Sequence, residues 1–300
     1  MDTLESIRNK TEGAKDLKSV VSAMKAMASS NIVQYQTAVS SLGDYYHTVA
    51  LGIIAYFRAE KIDAISDQKE IKKRNKTKQD KIICAIVFGS DQGLVGQFND
   101  SMADFVSASL KALQGKKEIW AIGERVQLLL SDVGLNITTI YHVPYTVGEI
   151  TPLVQQILTK SEESLEKHNI DEFYIFHNQP KQTSGYQHVM QRFLPLDEKW
   201  KNSLQKLHWP TQFPPQIAGG ARPTLLALVS EYLFVSLFKA CAESLASENA
   251  SRLEAMQRAE KNIGDLLDNL NKKYHRLRQS SIDEELFDVV SGFEALKRAR

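Results

Sequence analysis

The run GSDQGLVGQFND, Gly89 to Asp100, follows the apolar stretch KIICAIVF. A strand feeding a glycine-rich turn and then a helix is the setting in which backbone N–H groups hold phosphate. A P-loop must close on Gly-Lys-Ser/Thr, so that an ammonium meets the β and γ phosphates and a hydroxyl holds magnesium. Here Gly96 precedes Gln97 and Phe98, and the loop has no lysine. A dinucleotide loop needs Gly-x-Gly-x-x-Gly and an acidic residue about 20 positions on for the ribose. Gly89, Gly93 and Gly96 have the wrong first spacing, and the distal region reads SLKALQGK. Asp91 would repel a phosphate. The loop is not expected to hold a nucleotide.

Other chemistries lack their residues too. The seven histidines (47, 142, 168, 177, 188, 208, 275) are scattered, with no His-x-x-x-His or Cys-x-x-Cys spacing for a metal. There is no Gly-x-Ser-x-Gly elbow, and TSGYQH has no triad context. His177 ends a predicted strand, as a core or surface histidine. Cys84 and Cys241 have apolar neighbours and read as buried thiols. No catalytic residue, cofactor or metal is therefore expected. A net charge of +1 gives no global attraction to nucleic acid or acidic membranes. The opening MDTLESIRNK has no apolar core, so no secretory or transit signal is expected. Apolar runs such as VALGIIAYF fall short of the roughly 20 residues of a membrane helix. No direct membrane insertion is expected, and the chain reads as a soluble, cytoplasmic type.

The elements that would position any site begin with two long helices. From Ile7 a seven-residue row reads Ile7, Ala14, Val21, Ala28, Tyr35, Leu42, Val49. Its partner row reads Leu17, Met24, Asn31, Ala38, Tyr45, with Lys10 off-pattern. At the other end the rows are Leu253, Glu260, Leu267, Tyr274 and Met256, Ile263, Leu270, Leu277, with Glu260 alone breaking the seam. Sustained a/d heptads predict a coiled coil, although two amphipathic helices in a bundle would show a similar stripe. The second helix can run from about Pro223, which suits a first turn, to about Leu296. Such helices pair naturally antiparallel, and a projecting apolar stripe needs a partner.

Between them, Glu60 to Lys81 is charged and seam-free, a linker whose basic cluster would be solvated. Strand-like runs KIICAIVFG, KEIWAIG, NITTIYHV, DEFYIFHN and YQHVMQRFLPL alternate with helical SMADFVSASLKAL, ERVQLLLSDVG and EITPLVQQILTKSEESLEK. That predicts a small, mostly parallel α/β sheet. The expected organisation is a helix at 1–58, a linker at 59–81, an α/β domain at 82–195, a Pro-rich return at 196–222 and a helix at 223–300. The fold class is α/β with long helices: an antiparallel coiled coil of the terminal helices plus a small Rossmann-like domain.

Three stretches then carry a resemblance: LESIRNKTEGAKDLKSVVSAMKAMASS, GSDQGLVGQFN, and SLASENASRLEAMQRAEKNIGDLLDNLNKKYHRLRQSSIDEELFDVVSGFEAL. The chain resembles the γ subunit, the central-stalk rotor, of rotary F-type ATP synthases, over essentially its whole length. The resemblance implies a non-catalytic subunit whose terminal helices enter a ring of α and β subunits. It also implies a sheet domain beside the ε subunit and the membrane c-subunit ring. The complex would lie peripherally on the cytoplasmic face of the cell membrane and couple ion translocation, such as proton transport, to ATP synthesis or hydrolysis. By the same resemblance Met24, Lys25, Arg278 and Gln279 are candidate contacts with β. Met24 is also a seam residue, and Arg278 would otherwise be a solvated helix face or pair with Asp283. Gly93 and Gly96 are then turn residues, shaping the loop or allowing close helix–strand packing. Departures from the family pattern fall at SNIVQYQ, Gln92, Val95 and Asp283.

Overall fold

The structure, a computed structural model, describes residues 3–60, 81–167, 169–181, 185–196 and 220–298, with a few positions between 200 and 213. Most of the charged linker and of the Pro-rich return lies outside the described residues. The elements are α1 (Leu4–Glu60), β1 (Ile82–Phe88), α2 (Phe98–Lys111), β2 (Lys116–Ile122), α3 (Glu124–Asp132), β3 (Ile137–Tyr141), α4 (Val147–Glu166), β4 (Glu172–Pro180), β5 (Tyr186–Leu194) and α5 (Ala221–Arg298). All five strands and the three shorter helices fall on the expected segments. Thr3 starts α1, its hydroxyl accepting the Ser6 N–H at 3.2 Å, as an N-cap should. Pro223 falls in the first turn of α5, where a missing N–H costs nothing.

By contacts the chain forms two compact units, Met1–Ala28 with Arg252–Arg300, and Ser29–Ser251. The division falls within the helices: α1 from Tyr35 to Phe57 and α5 from Leu228 to Ala246 contribute to the core of the sheet.

In Ser29–Ser251 the strand order is β3-β2-β1-β4-β5. β1 runs parallel to β2 and β4, β2 parallel to β3, and β4 antiparallel to β5. Side chains alternate across the sheet. Ala85, Val87, Ile119 and Phe176 pack under Met102 and Val106 of α2 and Val126 and Leu130 of α3. Cys84, Ile86, Phe88, Trp120, Phe173 and Ile175 face the other way, toward Ile150, Val154 and Ile157 of α4 and toward Ile53, Leu237 and Cys241 of the long helices. Gly52 permits a close approach here: a Cβ on it would lie 2.9 Å from Leu228 Cδ2. α5 contains a stretch of mean hydropathy 1.7, long enough to cross a membrane by composition. Leu233, Leu237, Phe238, Cys241 and Leu245 of this helix belong to the core.

In the other unit Ile7, Ala14 and Leu270 are buried with Ile263, Leu267, Tyr274 and Leu277 around them. The helices run antiparallel: Lys25 meets Glu260, while Leu17 shares a groove with Leu266. Both expected rows of α5 are covered. On α1 the first row is covered, with Ala14 4% and Ala28 1% exposed. In the second row Met24, Asn31 and Ala38 are part-covered, while Leu17 is 59% and Tyr45 45% exposed, and Tyr46, one position after Tyr45, is part-covered. A helix of 3.6 residues per turn turns away from a 3.5-residue pattern by about 20° per heptad.

Candidate functional site

An open doubly wound sheet binds ligands outside the carboxyl ends of its strands, where the strand order reverses. Here that point lies between β1 and β4. The loop after β1 is tied from every side. Gly89 N–H donates to the Ile122 carbonyl at 2.8 Å. Ser90 N–H donates to Asn99 Oδ1 at 3.0 Å, and Asn99 Nδ2 donates back to Ser90 Oγ at 2.8 Å. Asp91 Oδ1 accepts the Glu124 N–H at 2.9 Å, and Oδ2 accepts the Val143 N–H at 3.0 Å. The amino terminus of α3, where a phosphate would bind, thus already holds a carboxylate of the chain.

The glycine demands are redistributed relative to the sequence reading. Gly96 is left-handed at φ 60°, as a turn glycine should be. Gly93 is not left-handed, and a Cβ on it would meet no atom within 4 Å. The second left-handed position is Leu94, φ 63° and 62% exposed. Close packing falls on Gly89, whose Cβ would lie 2.3 Å from Val126, and on Gly123, φ 116°, 2.7 Å from the Ser90 carbonyl.

Helix α5 fills what remains of the crevice. Ser251 Oγ donates to the Val95 carbonyl at 2.6 Å, and Ser247 Oγ lies 3.1 Å from the Asn178 carbonyl of β4. One turn earlier Glu243 accepts from His177 Nε2 at 3.0 Å and from Gln179 Nε2 at 3.1 Å. His177 and Glu243 are 3% and 5% exposed. Burial pushes the Glu243 carboxyl up, but the hydrogen bonds from His177 and Gln179 outweigh it and hold the group below its ordinary value. His177 is therefore a core histidine that clasps sheet to helix. The cavity beside the pair, about 90 Å³, is well below the roughly 300 Å³ at which small-molecule pockets begin. A larger recess of about 370 Å³ lies toward the amino ends of β1 and β4, where Lys160 is turned onto Thr139 and the Trp120 ring. Among the described residues no group of three His, Cys, Asp or Glu is placed to hold a metal. Cys84 and Cys241 are buried free thiols, pushed up by burial.

The candidate partner residues lie in the coil unit. Met24 is half-buried. Lys25 Nζ sits 2.6 Å from Glu260 Oε2, so this lysine is engaged within the chain. Arg278 and Gln279 are exposed. Beyond them Ile282, Leu286, Phe287 and Val289 are 54%, 62%, 73% and 70% exposed. Sequence reasoning missed Glu243, Ser247 and Ser251; Asp91 stood out only as a charge that would repel phosphate, and Glu260 only as a carboxylate in an apolar row.

Fold and site define a class: a protein built on two long helices, one of which packs along its α/β sheet and closes on the loop after β1. A family model described as ATP synthase matches residues 3–296, and the chain belongs to that family. The "ATP synthase gamma chain" of Pasteurella multocida (strain Pm70) is 27% identical over 307 residues, covering 97% of this chain and 99% of its own. That of Histophilus somni (strain 129Pt) is 26% identical over 306 residues, with the same coverage. A chain in the Euglena gracilis mitochondrial ATP synthase (OSCP/F1/c-ring, rotational state 3) has the same fold, with a TM-score of 0.63 at 16% identity, over 98% of this chain and 94% of that one.

Proposed function

We propose that the chain is the non-catalytic γ subunit of a rotary ATP synthase, the central shaft between an ion-driven membrane ring and a catalytic head. The observation that carries this reading is the set of large apolar side chains Ile282, Leu286, Phe287, Val289 and Val290 on α5, interleaved with acidic residues, that stand in water. Such a set calls for a sleeve, and a ring of α and β subunits supplies one. An off-centre helix pair inside a near-threefold ring presents a different face to each β, so each is biased to a different conformation and rotation interconverts them. Arg278, Gln279 and Met24 are the proposed contacts with β. The α/β domain would rest beside ε and the c-subunit ring, on the cytoplasmic face of the membrane.

The test is reconstitution with α and β subunits. Co-purification as one complex, with ATP turnover that requires this chain, is the expected result; failure to associate overturns the reading. Within that complex Arg278→Ala should lower turnover at least tenfold while helix content is unchanged, since a desolvated Arg contact is worth about 2–5 kcal/mol. Turnover at the parent rate would make Arg278 a surface charge.

A further inference from the structure

The recess toward the amino ends of β1 and β4 lies at the end of the sheet opposite the crevice that α5 fills, and the proposed rotor function makes no use of it. Its volume of about 370 Å³ falls within the roughly 300–1,000 Å³ of small-molecule sites. Two opposite charges line it, Glu118 of β2 and Lys160 of α4. Alternation along β2 puts Glu118 on the same face as Trp120, and Trp120 stands beside Thr139 of β3. That face looks toward α4, which carries Lys160 one turn after the buried Ile157. The two charges do not meet. Lys160 Nζ donates to Thr139 Oγ1 and lies 5.2 Å from the centroid of the Trp120 ring. Among the described residues no hydrogen bond or ion pair reaches the part-covered Glu118 carboxylate. Opposite charges in one recess attract, yet Thr139 and Trp120 hold Lys160 aside. An ammonium has further donors to give, the Thr139 hydroxyl keeps its own hydrogen, and a carboxylate has two oxygens to offer.

We propose that this recess binds a small zwitterion of the amino-acid type. The ligand's carboxylate meets Lys160 and the Thr139 hydroxyl, its ammonium meets Glu118, and its carbon frame rests against Ile82 and Ile170. A lone anion would sit against the Glu118 charge, and a lone cation against that of Lys160. Only a ligand that carries both signs satisfies the two protein charges together, and a part-covered charge left without a partner is unfavourable.

Ligand-observed NMR on the full chain tests this, with the standard amino acids as probes. At least one should bind saturably at millimolar concentration. Glu118→Gln, which keeps the shape of the side chain, and Lys160→Met should each weaken that ligand by about tenfold or more, as loss of a hydrogen bond to a charged group does. The ligand's amide lacks the negative charge and the matching carboxylic acid lacks the positive one, and each should weaken by the same factor. These analogues make the test on the parent chain, independent of how the variants fold. The proposal is overturned if no probe binds, or if Glu118→Gln binds as the parent does. It is equally overturned if the carboxylic acid binds as well as the amino acid, which would mark a plain anion site. Binding is read without α and β subunits, so the outcome stands apart from the rotor assignment.

Discussion

In residues 29–251, α1 and α5 lie in one core with Trp120, Phe173 and Ile175. In residues 1–28 with 252–300 the same two helices meet through Ile7, Ala14 and Leu270. The first region buries large aromatic and branched side chains on several elements. The second has a narrow seam of Ile7, Ala14, Ile263, Leu267 and Leu270, with the Lys25–Glu260 pair across it. Buried apolar area is roughly proportional to stabilisation, so the first region carries the stability. The second buries few side chains along a two-helix seam. One pair of helices therefore serves as core in one stretch and as a thin rod in the other.

The largest effect that would test this contrast is a cavity in the sheet core. Phe173 is fully buried, and Phe173→Ala should cost about 4 kcal/mol, read as a fall in the melting temperature of the full chain. Leu270→Ala, at a position 8% exposed, should cost about 2 kcal/mol at most, because a two-helix seam can close on the gap. Equal costs would break the comparison.

Next is the clasp between β4 and α5. Removing one partner of a buried, hydrogen-bonded charge leaves the other uncompensated, so His177→Ala should cost about 3 kcal/mol. The pH dependence has a definite sign. The folded Glu243 carboxyl lies below its ordinary value of 4.5, so its stabilisation is complete above about that pH. It is lost as pH falls through the lower, folded value. Glu172, lowered against burial by Lys81, Arg192 and Tyr174, acts in the same direction. Thermal melts from pH 7 to pH 3 should be flat and then fall steeply, and Glu243→Gln should remove part of that fall.

The smallest contrast lies within the glycine loop. Gly123→Ala must hold a left-handed backbone and place a Cβ 2.7 Å from the Ser90 carbonyl, at a cost of about 2 kcal/mol. Gly93→Ala should stay within about 0.5 kcal/mol, because nothing lies within 4 Å of its Cβ. Chemical denaturation of the two variants separates them, and a severe loss at Gly93 would show that the loop's shape depends on a residue the contacts leave open.

The same loop marks the limit of the sequence. Strands such as KIICAIVFG were legible because their apolar runs are short and bounded by glycine or charge, and both rows of α5 were legible because a heptad is a local pattern. What could not be read is which glycine is crowded. Gly89 is closed by Val126 and Gly123 by Ser90, contacts that exist only once the strands lie side by side. Asp91 read as a repellent for phosphate, and the same charge serves as an internal ligand for the N–H groups of Glu124 and Val143. The second row of α1 holds at Met24, Asn31 and Ala38 and departs at its far end, where Tyr46 rather than Tyr45 meets Tyr232.

That tyrosine contact joins residues 186 positions apart, and the Ser251 contact closes the loop after β1 across 156. Structure built on contacts so distant in sequence folds slowly, because loop closure must precede the reward of packing. During synthesis the sheet emerges well before α5, with the face that receives Leu237 and Cys241 still open. A chain ended near residue 220 should therefore stay sensitive to protease, as should a nascent chain paused there, and the full chain should gain resistance only after release. Folding of this protein waits on its last helix, and the interval before that helix arrives is when it most depends on chaperones.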